Sequence, residues 1–128
     1  MHGILLFAHG ARNPAWANPF HAIAAHMRRC APAQPVTLAF LELMTPNLAD
    51  AARELIDAGC QKITVVPLFL GAGGHILNDL PVLVSDLRAL YPTIQIEATP
   101  AIGQTEAIIH ALAETALTLV NTATQPQP

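Results

Sequence analysis

The sequence predicts a single α/β domain of three layers, in which a four-stranded parallel sheet of order 2-1-3-4 lies between helices. Three observations predict it. A length of 128 residues suits one ordinary domain, apolar runs recur at nearly even spacing, and the segments between them have helical periodicity. Continuous apolar runs are typical of strands buried on both faces, and strand–helix alternation is typical of a parallel sheet with right-handed crossovers.

The predicted strands are short and apolar, and they are spaced almost evenly along the chain. They are Gly3–Ala8, Val36–Leu41, Lys62–Leu70 and Ile94–Ala98. None approaches the roughly 20 apolar residues that a membrane-spanning helix needs, so we expect no membrane association.

The first two predicted helices follow the first two strands. The first begins at Asn18-Pro19 or, earlier, at Asn13-Pro14, because asparagine caps helices and proline suits their first position. Its apolar stripe is formed by Phe20, Ile23, Ala24 and Met27. The second opens at Thr45-Pro46 and ends at Gly59, since glycine is the usual left-handed helix terminator.

The third predicted helix follows Asn78-Asp79 and Pro81, and the fourth follows Gly103. Their apolar stripes are Leu80, Leu83, Val84, Leu87 and Leu90 in the third, and Ile108, Ile109, Leu112, Ala116 and Leu119 in the fourth. We assign residues 1–121 to the domain and expect residues 122–128 to form a frayed tail.

The composition excludes several classes of protein. With 52% hydrophobic and 12% charged residues, against a usual charged share of about 25%, the chain is too apolar to be disordered. A net charge of −3 argues against a nucleic-acid-binding surface. Because the apolar content exceeds what a domain of this size buries, we expect the surplus at a subunit interface or in a pocket.

Two cysteines, Cys30 and Cys60, are too few for a disulfide framework, and we interpret both as small buried thiols. The start Met1-His2-Gly3 lacks the basic region of a signal peptide, so we expect none. A cytoplasmic protein with reduced thiols is the expectation.

Ligands of open parallel sheets bind beyond the carboxyl ends of the strands, where the strand order reverses. In the order 2-1-3-4 this crevice lies between the loops after the first and third strands. His9 follows the first strand, Glu42 the second, and His75 lies in the loop after the third. We therefore expect these three side chains at one edge of the sheet.

Two imidazoles and a carboxylate suit a first-row divalent metal ion or proton transfer near neutral pH. Glu42 is informative because it follows an apolar stretch, where a carboxylate is costly without a partner. The remaining histidines, interpreted as structural or solvated, are His2, His21, His26 and His110.

A glycine-rich segment, Gly71-Ala72-Gly73-Gly74, follows the third predicted strand. It lacks the lysine of a P-loop and the glycine spacing of a dinucleotide site. We interpret it as flexible backbone that lets a bulky ligand approach.

Three motifs carry a family resemblance. They are His-Gly-x-Arg-x-Pro (His9, Gly10, Arg12, Pro14), Phe-x-Glu-x-x-x-Pro (Phe40, Glu42, Pro46), and Val-Pro-Leu-Phe-Leu with a following Gly-x-His and Asp-x-Pro (Val66–Leu70, Gly73, His75, Asp79, Pro81). In these motifs, and over about Gly3 to Val120, the chain resembles the single-domain sirohydrochlorin chelatases. It departs at Ala11, where members often carry serine, and it lacks the histidine-rich stretch of some short members.

The resemblance implies a chelatase-like fold, similar to half of a flavodoxin-like sheet, and insertion of a divalent metal ion into sirohydrochlorin. The metal is a substrate, Co²⁺ foremost and Fe²⁺ or Ni²⁺ as alternatives, on the path to cobalamin, sirohaem or a nickel tetrapyrrole. By similarity His9 and His75 hold the metal, while Glu42 accepts protons or orients a histidine. No organic cofactor is expected.

Sirohydrochlorin is rich in carboxylates although the chain is acidic, and Arg12 is the only cation predicted at the site. Further anion contacts are expected from the helix N-termini after Asn13 and Asn78 and from backbone amides of the glycine loop. The predicted substrate-binding residues are therefore Gly10, Arg12, Gly73, Gly74 and Asn78. The resemblance also implies a homodimer, which would bury surplus apolar surface.

Three other functions remain open. A non-catalytic metal or tetrapyrrole carrier would share the same ligands. A histidine phosphatase also places His-Gly after its first strand, but its preceding arginine would fall at position 8, where this chain has Ala8. A flavodoxin-like nucleotide binder lacks a phosphate loop.

Overall fold

The strands form one parallel sheet in the order β2-β1-β3-β4, as predicted. They are β1 (His2–Ala8), β2 (Val36–Phe40), β3 (Lys62–Pro67) and β4 (Gln95–Ala98). The computed structural model describes residues 1–71 and 73–123, and for residues 74–77 it describes the backbone alone. In the register of the sheet, Leu5 of β1 lies opposite Thr37 of β2 and Val65 of β3.

The described residues form four α-helices and two 3₁₀ helices, of which the last two follow β4. They are η1 (Pro14–Ala17), α1 (Asn18–Cys30), α2 (Leu48–Asp57), α3 (Gly74–Leu90), η2 (Ile102–Gln104) and α4 (Glu106–Ala123). None of the helices in the described part of the chain is long and apolar enough to cross a membrane.

Helices cover the two faces of the sheet unequally. On one face, α2 and α3 bury Leu55 and Val84 against Leu5, Phe7 and strand residues beside them. Leu55 is 2% exposed, and truncating such a leucine to alanine costs about 2–5 kcal/mol. On the other face, α1 packs mainly on β2, in a cluster that also includes Leu6 and Ala8 of β1.

The second face of β3 and β4 carries polar side chains in place of a helix. Burial alternates along β3, and Lys62 Nζ lies 3.3 Å from Glu97 Oε1 of β4. Beside this ion pair, His2 Nε2 lies 2.7 Å from Thr64 Oγ1. The expectation that all four strands are buried on both faces is therefore wrong for this half of the sheet.

The helix starts differ from the sequence predictions in detail. Asn13 caps η1 by accepting a hydrogen bond from the Ala15 amide at 3.0 Å, so the earlier asparagine is the true cap. Asn18 is the first residue of α1 and does not cap that helix; its backbone amide donates to the Ala15 carbonyl and closes η1. The cap of α2 is Asn47, which accepts from the Asp50 amide at 2.8 Å.

Helix α3 begins at Gly74, upstream of the predicted start at Asn78-Asp79. Asn78 therefore lies inside the helix, and the predicted anion site at a helix N-terminus after Asn78 is wrong. Pro81 is also inside the helix. The sequence prediction took Pro81 as a first-turn signal, but the helix continues through it because Leu80, Val84 and Leu87 anchor it to the core.

Two arginines join helix ends to the following strands in the same way. Arg28 near the end of α1 donates from Nη2 to the Val36 carbonyl at 2.7 Å, and Arg88 near the end of α3 donates from Nε to the Ile96 carbonyl at 2.7 Å. Each arginine lies eight residues before its acceptor. The α1–β2 and α3–β4 connections are therefore held by the same kind of arginine–carbonyl hydrogen bond.

Helix α4 stands apart from both core clusters. None of its residues is buried, although Leu112, Leu117, Leu119 and Val120 are among the exposed large apolar residues. It reaches Ala123, two residues beyond the predicted domain boundary, and residues 124–128 of the predicted tail lie outside the described residues. Cys60 is buried as expected, whereas Cys30 is exposed.

Candidate active site

The first site residues lie where backbone pairing of β1 and β2 continues past the strand ends. The Leu41 amide donates to the Ala8 carbonyl at 2.9 Å, and the Glu42 amide donates to the His9 carbonyl at 3.1 Å. His9 and Glu42 therefore remain neighbours beyond the sheet. The predicted proximity of these two residues at the carboxyl edge is a consequence of strand pairing.

Gly10 is required for this approach. Its φ is +98°, and a Cβ at this position would lie 1.9 Å from the carbonyl oxygen of Glu42. Any other residue would both strain the backbone and push the two loops apart. The glycine of the His-Gly motif thus sets the distance between the chain segments that carry His9 and Glu42.

The two side chains face each other in a solvent-accessible position. His9 Nε2 lies 3.6 Å from Glu42 Oε1, and their side chains are 45% and 55% exposed. The other ring nitrogen, Nδ1, lies 3.2 Å from the Gly10 carbonyl. Because a carbonyl only accepts, this hydrogen bond requires a proton on Nδ1, and in the neutral imidazole the Nε2 lone pair then faces the carboxylate.

The separation suits a cation between the two groups. Metal–nitrogen and metal–oxygen bonds of about 2.1 Å place two ligands of a tetrahedral ion about 3.4 Å apart. A proton shared by the pair would draw the atoms closer, to about 2.8 Å. Within the described residues, no group of three or more histidine, cysteine, aspartate or glutamate side chains could hold a metal ion.

His75 is the second residue of α3, the helix that follows β3, and β3 is a neighbour of β1 in the sheet. The loop before it starts where the Leu68 amide donates to the Phe7 carbonyl at 2.8 Å. Gly74 is described by its backbone alone, and the side chain of His75 lies outside the described part of the chain. Its predicted meeting with His9 therefore stays a prediction.

The β3–α3 loop has open space where the β1 loop is tightly packed. A Cβ at Gly71 or Gly73 would meet nothing within 4 Å. Gly73 is the residue before α3, and Asn78 is exposed in the second turn of the helix. The loop is instead held from outside the sheet, by η2.

The contact with η2 depends on Gly103. Its amide donates to the Phe69 carbonyl at 2.9 Å, and a Cβ at Gly103 would lie 2.1 Å from the Leu70 carbonyl oxygen. Sequence reasoning noted Gly103 only as the residue before the last helix. No sequence signal distinguishes this packing role from an ordinary turn.

Arg12 borders a cavity of about 300 Å³ beside His9's loop. The cavity is lined by Ala11, Arg12, Pro14, Ala17, His21, Phe40, Leu43, Met44 and Thr45. His21, interpreted from the sequence as solvated or structural, packs its ring edge-on to Phe40 with centroids 6.3 Å apart. His21 therefore lies next to the candidate site, which the spacing of the histidines along the predicted helix did not indicate.

Leu43, next to Glu42, has a φ of +66° and is 59% exposed. Left-handed backbone costs a residue with a side chain about 1–2 kcal/mol, so it is uncommon for leucine. Its position between Glu42 and the Arg12 cavity marks a strained turn at the site. The sequence carries no sign of it, since glycine or asparagine would be expected there.

A second cavity of about 410 Å³ lies between α3 and the segment after β4. Its lining includes Leu80, Val84, Arg88 and Pro100 and none of the predicted site residues whose side chains the structure describes. This cavity is larger than the one at Arg12, but the pairing of His9 with Glu42 identifies the ends of β1 and β2 as the candidate site.

The chain matches the CbiX family over residues 3–118. A sirohydrochlorin cobaltochelatase from Sulfolobus acidocaldarius is 31% identical over 116 residues, which cover 91% of this chain and 90% of that protein. One from Methanothermobacter thermautotrophicus is 37% identical over 79 residues, which cover 62% of this chain and 54% of that protein. The aligned part therefore spans about half the length of the second relative.

Solved structures show the same fold. A putative cobalamin biosynthesis CbiX protein from Marinobacter aquaeolei superposes with a TM-score of 0.85 at 26% identity, covering 98% of this chain and 99% of that one. The sirohydrochlorin chelatase SirB from Bacillus subtilis subspecies spizizenii, in complex with cobalt, gives 0.74 at 26% identity, covering 91% of this chain and 50% of that one. The family match over nearly the whole chain and these relatives agree: the chain belongs to the CbiX family.

Proposed function

We propose that this chain is a sirohydrochlorin chelatase that inserts a divalent first-row metal ion, Co²⁺ foremost. The observation that carries the proposal is the pairing of His9 Nε2 with Glu42 Oε1 at 3.6 Å, on the edge of the sheet where ligands of this fold class bind. Relatives named as cobaltochelatases support cobalt, and SirB structures with Fe³⁺ and with cobalt support iron as an alternative.

The reaction exchanges one dication for two protons. Two pyrrole N–H bonds of the macrocycle break, four metal–nitrogen bonds form, and two protons leave for nearby bases or water. The protein must therefore hold the metal weakly enough to release it and supply proton acceptors beside the ring.

His9 fits the first task. Because its Nδ1 donates to the Gly10 carbonyl, the imidazole presents Nε2 as a neutral ligand in a fixed orientation. The half-exposed position of the ring allows metal to arrive from solvent and leave for the macrocycle. We propose His75 as the second ligand, supplied from the start of α3, the helix that follows β3.

Glu42 fits the second task and is also placed to bind the metal. The N–O separation of 3.6 Å is close to that expected for two ligands of one tetrahedral ion, which favours Glu42 as a direct ligand before transfer. As the metal passes to the ring, the carboxylate that releases it would become free to accept one of the two departing pyrrole protons.

Arg12 and the surrounding backbone are proposed to orient the carboxylates of the macrocycle. Arg12 is exposed at the rim of the cavity beside the site, and no described residue forms an ion pair with it. Gly10, Gly73 and Gly74 are proposed to let the large ring approach the backbone closely. Asn78, exposed on α3, is proposed as a side-chain contact.

Two further features of the proposal concern assembly and compartment. We propose a homodimer, because the family resemblance and the exposed apolar residues of α4 both favour one. We propose a cytoplasmic location and no organic cofactor, since Cys30 and Cys60 are both free thiols and no phosphate motif is present.

Anaerobic incubation with sirohydrochlorin and Co²⁺, followed by the absorbance of the macrocycle, tests the activity. We expect multiple turnovers, and a fall of about 10²–10⁴-fold in kcat/KM for His9→Ala. The matched control is His26→Ala, an exposed histidine on α1, which should keep the wild-type rate.

Each outcome distinguishes the candidates. A rate no faster than metal alone, with Co²⁺, Fe²⁺ and Ni²⁺ in turn, would reject the chelatase. Tight binding of the macrocycle without turnover would assign a carrier instead. An unchanged rate in both His9→Ala and His75→Ala would reject the site while leaving the family intact.

A further inference from the structure

The apolar face of α4 has no partner within the described chain. The helix has 18 residues, none of them buried, and it contacts the rest of the molecule mainly at η2. Ile109, Leu112, Leu119 and Val120 are between 48% and 64% exposed. An isolated helix of this length is marginal in water, so its stability requires packing of this face.

The spacing of the apolar residues is typical of a helix–helix seam. Ile109, Leu112, Ala116, Leu119 and Ala123 alternate in steps of three and four, the heptad pattern of a coiled coil. The polar residues Glu106, His110, Glu114 and Thr118 follow at steps of four and occupy the opposite side. A stripe of this spacing requires an apolar partner along its length, and a second helix is one surface that fits it.

The seam is also self-complementary. Six apolar positions of the stripe, 108, 109, 112, 116, 119 and 120, have separations of 1, 3, 4, 3 and 1, which are the same read in either direction; Ala123 lies beyond this set, and Leu117 lies on the polar side of the helix. A two-fold axis near Glu114 therefore places Ile109 against Leu119 of the partner subunit, and Leu112 against Ala116 of the partner subunit. In a two-fold symmetric interface, each contact occurs twice, because residue i of one copy contacts residue j of the other and the reverse also holds.

Charge is compatible with this pairing. Under the same axis Glu106 lies opposite Thr122 of the partner subunit, and His110 lies opposite Thr118 of the partner subunit. Glu114 lies near the axis along the sequence but on the side of the helix away from the seam. No acidic side chain is placed directly against another.

The exposed area agrees with a second copy. The chain exposes 8073 Å², whereas a monomer of this mass exposes about 6,600 Å² by the usual scaling. The excess is larger than the roughly 800 Å² that each partner buries in a standard interface.

We propose that α4 is the dimerisation element, packing antiparallel against α4 of a second copy along this seam. The proposal rests on the two-copy assembly proposed above and specifies its surface and register. It is independent of the metal chemistry, because none of the seam residues belongs to the candidate site.

Light scattering at micromolar concentration tests the surface. We expect twice the 13.6 kDa of one chain for the wild type, and a dimer dissociation constant at least 100-fold higher for Leu112→Glu. Ala107→Glu places the same charge on the far side of α4 and should stay dimeric. Circular dichroism should show a folded domain in both variants, because neither residue is buried.

Cysteine pairing tests the register. In a Cys30→Ser background, mixing Leu112→Cys with Ala116→Cys chains and oxidising should give mixed disulfides, whereas mixing Ile109→Cys with Leu112→Cys should not. Preferential self-linking of Leu112→Cys would overturn the antiparallel register.

The remaining outcomes are also decisive. A Leu112→Glu chain that stays dimeric would overturn the role of α4 while leaving the two-copy assembly intact. A wild-type monomer would overturn both and leave α4 to a different partner. Chelatase turnover is measured separately, so its loss or survival does not affect these conclusions.

Discussion

The two loops at the carboxyl edge of the sheet are held in different ways. The β1 loop is an extension of strand pairing, in which His9 and Glu42 share a backbone hydrogen bond of 3.1 Å and Gly10 allows close contact. The β3–α3 loop has free space around Gly71 and Gly73 and is held by Gly103 of η2. The position of the β1 loop thus depends on pairing in the sheet, whereas the position of the β3–α3 loop depends on η2, which follows the last strand.

This difference between the two loops predicts which substitutions should be harmful. A change in the β1 loop acts on the metal-binding pair and on the sheet together. A change in the β3–α3 loop acts on the site through η2 and leaves the sheet pairing intact. Four substitutions separate these effects.

Gly10→Ala should have the largest effect, because it strains a backbone with φ of +98° and overlaps the Glu42 carbonyl at 1.9 Å. We expect a loss of about 3 kcal/mol or more in the free energy of unfolding, measured in urea, and loss of chelatase turnover. A variant with wild-type stability would show that the two loops are not locked together.

Gly103→Ala should have the next largest effect, since its Cβ would lie 2.1 Å from the Leu70 carbonyl oxygen. We expect about 1–3 kcal/mol of destabilisation and reduced turnover, with affinity for Co²⁺ at His9 and Glu42 less affected than in Gly10→Ala. Isothermal titration with Co²⁺ alone makes the comparison. Equal loss of metal binding in both variants would argue that the two halves of the site are not separate.

Glu42→Gln should affect chemistry and leave the fold unchanged. The side chain is 55% exposed and 3.6 Å from His9, so the ion pair contributes little to stability. We expect a 10- to 100-fold lower kcat and a change in the free energy of unfolding within about 0.5 kcal/mol. Unchanged kcat would remove Glu42 from the mechanism while leaving His9 in place.

Gly71→Ala should have the smallest effect, because a Cβ there meets nothing within 4 Å and the backbone is not left-handed. We expect a small stabilisation of about 0.5 kcal/mol, measured by thermal unfolding, and near-normal turnover. A large loss of activity at normal stability would mean that this loop must bend further when the macrocycle binds.

Much of the fold could be predicted because apolar runs report burial directly. The strand order and the strand positions are confirmed, and β3 alone is markedly shorter than its apolar run. It ends at Pro67, although Leu68 and Phe69 beyond it are still packed on opposite faces of the sheet. Apolar character persists wherever side chains are buried, so it cannot mark where strand pairing ends.

The site could be predicted where it follows from topology. His9 and Glu42 meet because parallel strands end at one edge, and two residues following adjacent strands must be neighbours. The start of α3 could not be predicted, because Asn78-Asp79 and Pro81 together imitate a helix start. The exposure of α4 also could not be predicted, because a periodic apolar stripe indicates that one face of a helix is packed but does not indicate which surface packs against it.

The hydrogen bond from the Gly103 amide to the Phe69 carbonyl, at 2.9 Å, has a further use. This amide exchanges its hydrogen with solvent only when η2 and the β3–α3 loop separate, so its exchange rate measures how often that loop opens. It lies outside the metal-binding pair and needs no label. Slower exchange on addition of sirohydrochlorin would report the ordering of the loop in the unmodified protein, on a timescale that turnover assays do not resolve.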